Sequence, residues 1–143
     1  MTQIDFYTHV EDKLNTAARL AAKAYRQGMR STVLCSNAES AQRFDRLLWI
    51  TPAIGFIPHC FADDPLARVT PIVLDWRSTE IINDDLLPNL GEERPPSFSR
   101  FRRLIEIVAL DDEDRHAARE RYKFYRDRGY DIRTHDLSQN SSP

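Results

Sequence analysis

Apolar and polar positions along the chain follow two rhythms in turn. Residues 3–8, QIDFYT, alternate with the period of a half-buried strand, and their β-branched and aromatic side chains favour that state. Over about 11–27 the period lengthens. Leu14, Ala17, Ala18, Ala21, Ala24 and Tyr25 recur at helical spacing, and Gly28 suits the left-handed position just past a helix end. STVLCS (31–36) reads as a buried strand, with Asn37 as the N-cap of a second helix over 38–49. From Thr51 the pattern loosens, broken by Pro52, Pro58 and Pro65, until VTPIVLDW (69–76) makes a third strand. Residues 83–100 hold a short strand and a turn-rich loop, and FRRLIEIVAL (101–110) mixes a turn of helix with a strand. Asp111 or Asp112 caps a long charged helix to about 128, Gly129 closes it, and YDIRTH (130–135) is a last strand. Strands alternating with helices predict an α/β fold: a mixed or mostly parallel sheet sandwiched by helices, with strand 3–8 central. We expect one domain over 1–136 and a frayed tail over 137–143.

Composition narrows the function classes. The chain has 143 residues, 41% hydrophobic and 29% charged, which suits one soluble domain with one core. Twenty basic and 22 acidic residues give a formal net charge of −2, so there is no bulk attraction to a phosphate backbone. No run approaches the length of a membrane span, and MTQIDFYTHVEDK lacks the basic and apolar regions of a secretory leader. A cytoplasmic protein is expected. Cys35 and Cys60 are too few and too far apart for a disulfide framework or a CxxC site, and read as free thiols.

An α/β sheet invites a nucleotide-binding reading, which the glycines argue against. There are four, Gly28, Gly55, Gly91 and Gly129, and none clusters between a strand and a helix, where a backbone must approach phosphates without a Cβ. The first strand-to-helix turn, THVED, has no glycine and two acids. His9, His59, His116 and His135 are scattered without HExxH spacing, no GxSxG elbow exists, and the paired acids read as solvated loops or helix-start charge. No catalytic residue, metal ligand or cofactor is expected.

Two segments stand out from this background. In RHAARERYKFYRDR (115–128), Arg115, Arg126, Arg119 and Lys123 fall within an arc of about 80° on a helix, with Tyr122 at its edge. Ala117, Ala118, Phe124 and Tyr125 take the other side, and Arg121 and Arg128 land near that apolar arc, where either both snorkel past its margin or Arg121 meets a buried acid. A solvated charged face would explain an average helix of this kind. Four cations beside an aromatic ring suit an acidic, partly apolar peptide, and single-stranded nucleic acid would fit too. The second segment, LLWITPAIGFIPHCF (47–61), carries Trp49, Ile54, Phe56, Ile57 and Phe61 where prolines prevent one regular element. Such groups either fold under the core or anchor a partner.

IDFYT, the LLW-x-x-P-x-x-x-F-x-P-H run at 47–59, and ARERYKFYR at 118–126 followed by Gly129-Tyr130 together resemble the chi subunit of bacterial DNA polymerase III. The resemblance spans nearly the whole chain, and it departs in the 83–100 loop and the serine-rich end. It implies a Rossmann-like three-layer sandwich without a nucleotide site, acting in DNA replication as a non-catalytic adaptor of the clamp loader. One surface would bind the psi subunit, with Trp49 and Phe56 on that side. Another would bind the acidic C-terminal tail of single-stranded DNA-binding protein, which ends in an apolar residue and a free carboxylate. Arg119, Tyr122, Lys123 and Arg126 match that tail site, and helix geometry adds Arg115. DNA would be met only indirectly and a membrane not at all. The alternative is a direct single-stranded nucleic-acid binder using 115–133, where seven Arg and Lys face three acids.

Overall fold

The computed structural model of the chain describes residues 1–51, 54–77 and 81–138. The strand β1 (Gln3–Val10) is followed by α1 (Lys13–Arg26), β2 (Ser31–Leu34) and α2 (Ala38–Ile50), in the order the periodicity predicts. Asp12 caps α1 by accepting from Asn15 N at 3.1 Å, and Asn37 caps α2 by accepting from Ser40 N at 2.8 Å. Next come β3 (His59–Phe61), β4 (Ile72–Asp75), β5 (Leu86–Asn89), β6 (Arg103–Ala109), α3 (Asp112–Asp127) and β7 (Ile132–Asp136). The helical turn expected near 101 is a 3-10 turn at Phe98–Arg100, just before β6. Of the tail expected to fray over 137–143, residues 139–143 lie outside the described residues, and Leu137 N still donates to Thr8 O at 3.1 Å.

Among the described residues, the strands form one parallel sheet in the order β3-β4-β2-β5-β6-β1-β7. The expectation that strand 3–8 is central fails: β1 stands next to the β7 edge, and β5 holds the middle. The cause lies in the 83–100 segment, which supplies a core strand of four residues with Pro88 inside it. Leu86 N donates to Arg30 O and Leu90 N to Leu34 O. Between them Pro88 has no N–H to offer β2, so the ladder is kept only at its ends. The strand survives because both its faces are buried and its other side pairs with β6 from Leu86 to Asn89.

Helices α1 and α2 cover one face, where Phe44, Leu48, Val33, Leu74 and Ile107 form the core. The other face is covered by α3 and the turn at Phe98–Arg100, over Ile4, Phe6, Leu104 and Tyr125. The result is the expected three-layer α/β sandwich. Buried within the second core is a carboxylate, Glu106 of β6, which accepts from Arg121 Nε at 3.0 Å, Tyr125 OH at 2.6 Å and Asn89 Nδ2 at 3.1 Å. Of the two fates open to Arg121, the buried acid is the one realised. Arg128 instead lies over the Phe124 ring, 3.6 Å from its centroid.

Candidate functional site

The chain leaves β1 through α1 on one face of the sheet, and leaves the adjacent β6 through α3 on the other. Neighbouring strands whose connections diverge in this way open a crevice at their carboxyl ends. A cavity of about 340 Å³ lies there, between α3 and the ends of β1, β6 and β7. Phe6, Val108, Ala118 and Tyr122 make its apolar lining, and Arg115 and Arg119 border it, with Thr8, His9 and Thr134 on the strand side. Tyr122 is fixed edge-on to Phe6, centroids 5.3 Å apart, and remains 37% exposed.

The predicted cationic stripe therefore divides. Arg115, Arg119 and Tyr122 meet at the cavity, whereas Lys123 and Arg126 are exposed on α3 beyond its lining. Arg115 Nη1 lies 3.8 Å from Asp112 and Arg126 Nη2 lies 3.2 Å from Asp127, both at the surface, where such pairs are weak. Among the described residues, Arg119 and Lys123 have no ion-pair partner. The acids that open α3, Asp112, Glu113 and Asp114, are drawn to its positive N-terminus, and Asp114 also ties the site together. Its carboxylate accepts from Ala109 N at 2.7 Å and from Lys13 Nζ at 3.0 Å, fixing the start of α3 to β6 and α1.

Beneath the stripe, α3 is keyed to the sheet by Glu106. Burial pushes its carboxyl above the usual range, against the opposing influence of Arg121, Tyr125 and Asn89. The Tyr125 phenol is raised by burial and by the carboxylate it donates to. This network was not readable in the sequence beyond the odd placement of Arg121. Thr8, His9 and Thr134 were also missed, since strand alternation alone does not assign them to a common cavity.

The second segment resolves into buried and exposed parts. Ile54 and Ile57 are core, while Trp49 is 63% and Phe56 97% exposed. Ile54 N and Gly55 N both donate to Thr51 O just past the end of α2. A Cβ on Gly55 would stand 3.1 Å from Trp49 O, so glycine permits this tight return. The turn buries Ile54 and Ile57 and leaves Phe56 outside. Trp49 packs at a tilt on His59, centroids 4.6 Å apart. Pro52, part of this segment's pattern, lies outside the described residues. Among the described residues no helix is long and apolar enough to cross a membrane, and no His, Cys, Asp and Glu side chains gather as a metal site.

Residues 1–133 match the family model described as DNA polymerase III chi subunit, HolC. The chain is 35% identical to the DNA polymerase III subunit chi of Pseudomonas aeruginosa, over 96% of this chain and 98% of that protein. It is 29% identical to the subunit chi of Escherichia coli, over 93% and 89%. Among solved structures it resembles the Pyrococcus furiosus Hef helicase domain, with a TM-score of 0.56 and 18% identity, over 76% of this chain and 27% of that one. That likeness is one of fold.

Proposed function

Since the chain belongs to the DNA polymerase III chi subunit family, we propose that it is a non-catalytic adaptor of the DNA polymerase III holoenzyme in the cytoplasm. It joins the clamp loader, through psi, to the acidic C-terminal tail of single-stranded DNA-binding protein. The observation that carries this reading is the α3 cavity. An apolar lining supplied by Phe6, Val108 and Tyr122 is bordered by two guanidiniums, Arg115 and Arg119, one of them without an acidic partner. A peptide that ends in an apolar side chain and a carboxylate needs both features side by side. Arg suits the carboxylate because its planar fork can bind two oxygens at once. Lys123 and Arg126, farther along the exposed face, would meet acidic residues upstream of the terminus. Phe56 and Trp49 present an apolar patch of the kind that anchors a protein partner, and psi is the partner assigned to it.

Titration with an acidic tail peptide tests the tail site, with the same peptide lacking its last residue and a single-stranded oligonucleotide as comparisons. The full peptide should bind, the shortened one much less, and the oligonucleotide weakly if at all. Lys123→Glu removes an attraction and adds a repulsion, so it should weaken the peptide by more than about tenfold. Retention of the oligonucleotide with indifference to the peptide would establish the direct nucleic-acid reading instead.

A further inference from the structure

Residues on a regular strand alternate between faces, and β1 does so from Ile4 to Thr8. Ile4 and Phe6 belong to the core under α3, Tyr7 packs with the core under α1, and Thr8 returns to the α3 side at the cavity. By that rule His9 belongs under α1, and Val10 under α3. The structure reverses both. His9 lines the α3 cavity beside Thr8, and Val10 is buried in the core of the α1 face. The reversal is a bulge. Tyr7 pairs with Ile107 and Val10 with Ala109, so three steps along β1 match two along β6. His9 takes up the extra step at φ +58°, the one residue besides glycine with positive φ among those described. That conformation is uncommon for a side chain with a Cβ, and such backbone concentrates where a side chain is being aimed at a ligand.

The ring is held as well as aimed. Its Nδ1 lies 3.0 Å from Asp136 Oδ1, at the end of β7, and 3.2 Å from Thr8 Oγ1. Asp136 also accepts from Ser138 Oγ at 2.6 Å and Ser138 N at 2.9 Å, which keep its carboxyl below the usual range. A carboxylate only accepts, so Nδ1 carries a hydrogen, and in that tautomer the ring's lone pair is on Nε2. The cavity is thus lined by two donors on α3, Arg115 and Arg119, and on the strand side by His9, whose ring is tied to Asp136 through Nδ1.

We propose that His9 is a specificity-determining residue of this cavity, whose Nε2 accepts a backbone N–H from one of the last two residues of the acidic peptide while Arg119 takes the carboxylate. The assignment rests on the tail-binding reading above. It makes the site a reader of the peptide's backbone direction as well as of its charge and apolar end.

Three proteins and three ligands test it: the parent chain, His9→Gly and Arg119→Ala, each titrated with the tail peptide and with two versions in which one of the last two amides is an ester, which lacks the N–H. The parent should bind one ester about fivefold more weakly than the amide, the size of one neutral hydrogen bond. His9→Gly should bind the amide peptide about fivefold more weakly than the parent and no longer distinguish that ester. Its melting temperature should be unchanged or higher, because glycine adopts φ +58° without a Cβ. Arg119→Ala should bind weakly yet keep its preference for the amide. If His9→Gly binds like the parent, or still prefers the amide, the assignment of His9 is wrong while the tail site stands. If Arg119→Ala binds like the parent, or the parent does not bind the tail at all, the tail reading fails and the role of His9 with it.

Discussion

A carboxylate with no exposed surface, Glu106 accepts hydrogen bonds from a guanidinium, a phenol and an amide in the middle of an apolar layer. Burying such a pair gains little net stability over apolar residues, but breaking it is costly, because the remaining charge has no water to turn to. Arg121→Met should therefore destabilise the chain by about 3 kcal/mol near neutral pH, measured by urea unfolding. Removing Arg121 removes the first of the influences that oppose the upward push of burial on Glu106. In that variant the carboxyl titrates higher in the folded chain than in the unfolded one. Its folded form is then favoured below the ordinary carboxylate range, and that advantage is lost as pH rises through the raised value. The deficit against the parent should shrink as pH falls from 7 toward 5, and pairing the change with Glu106→Leu should recover most of it. A deficit indifferent to pH and to the second substitution would mean that packing alone is at stake. Of this cluster the sequence shows only an arginine on an apolar arc. Its partner is 15 residues away in another element, and no local pattern encodes such a distance.

Elements with strong periodicity and clear ends were legible: α1, α2 and α3, the caps at Asp111 and Asn37, and the stops at Gly28 and Gly129. What the pattern did not carry were β3, whose existence depends on its neighbour, and the central place of β5, the short strand expected within 83–100. β3 has three residues and forms because His59, Cys60 and Phe61 pair with Ile72, Val73 and Leu74. β5 contains a proline, a signal that argues against a central strand, and is central all the same. The bulge in β1 is equally silent, and with it the placing of His9. The helix stops invite a direct test. At Gly129, φ is +81° and a Cβ would meet nothing within 4 Å, so the only penalty on Gly129→Ala is the left-handed backbone. That should cost about 1 kcal/mol, seen as a lower melting temperature. Gly129 N and Tyr130 N close the end of α3 on Arg126 O and Tyr125 O. Tail binding should change little, because the cavity's residues on α3 run from Arg115 to Tyr122, more than a turn before its end, and of the proposed tail contacts only Arg126 lies in the last turn. A loss of binding larger than the loss of stability would show that the end of α3 shapes the site.

Placed in the whole molecule, the two candidate surfaces belong to opposite edges of the sheet. Trp49 and Phe56 stand at the approach to β3, the first strand in the order, and the cavity lies against β1 and β7, the last two. Six strand spacings of about 4.8 Å put the edges roughly 29 Å apart. The separation is several times the screening length of about 8 Å at physiological ionic strength. Charge at one surface is thus hidden from the other, and neither partner need displace its counterpart. A parallel sheet between them would carry force without a change of shape, which is what the proposed tether needs. The family resemblance pointed to both candidate surfaces in the sequence, but not to their placing at opposite edges, which depends on a strand order that no pairwise motif reveals. The prediction is independence. Phe56→Ala should lower affinity for psi by about 2 kcal/mol or more, with tail affinity and melting temperature nearly unchanged. Lys123→Glu should do the reverse. Raising salt from about 0.05 to 0.3 M should weaken the tail much more than psi, because in the proposed arrangement only the former would be held mainly by exposed charge. The parent chain saturated with psi should bind the tail peptide with unaltered affinity in calorimetry. If psi displaces the peptide, or if each partner changes the affinity of the other, the two surfaces are coupled through the sheet and the passive tether is the wrong description.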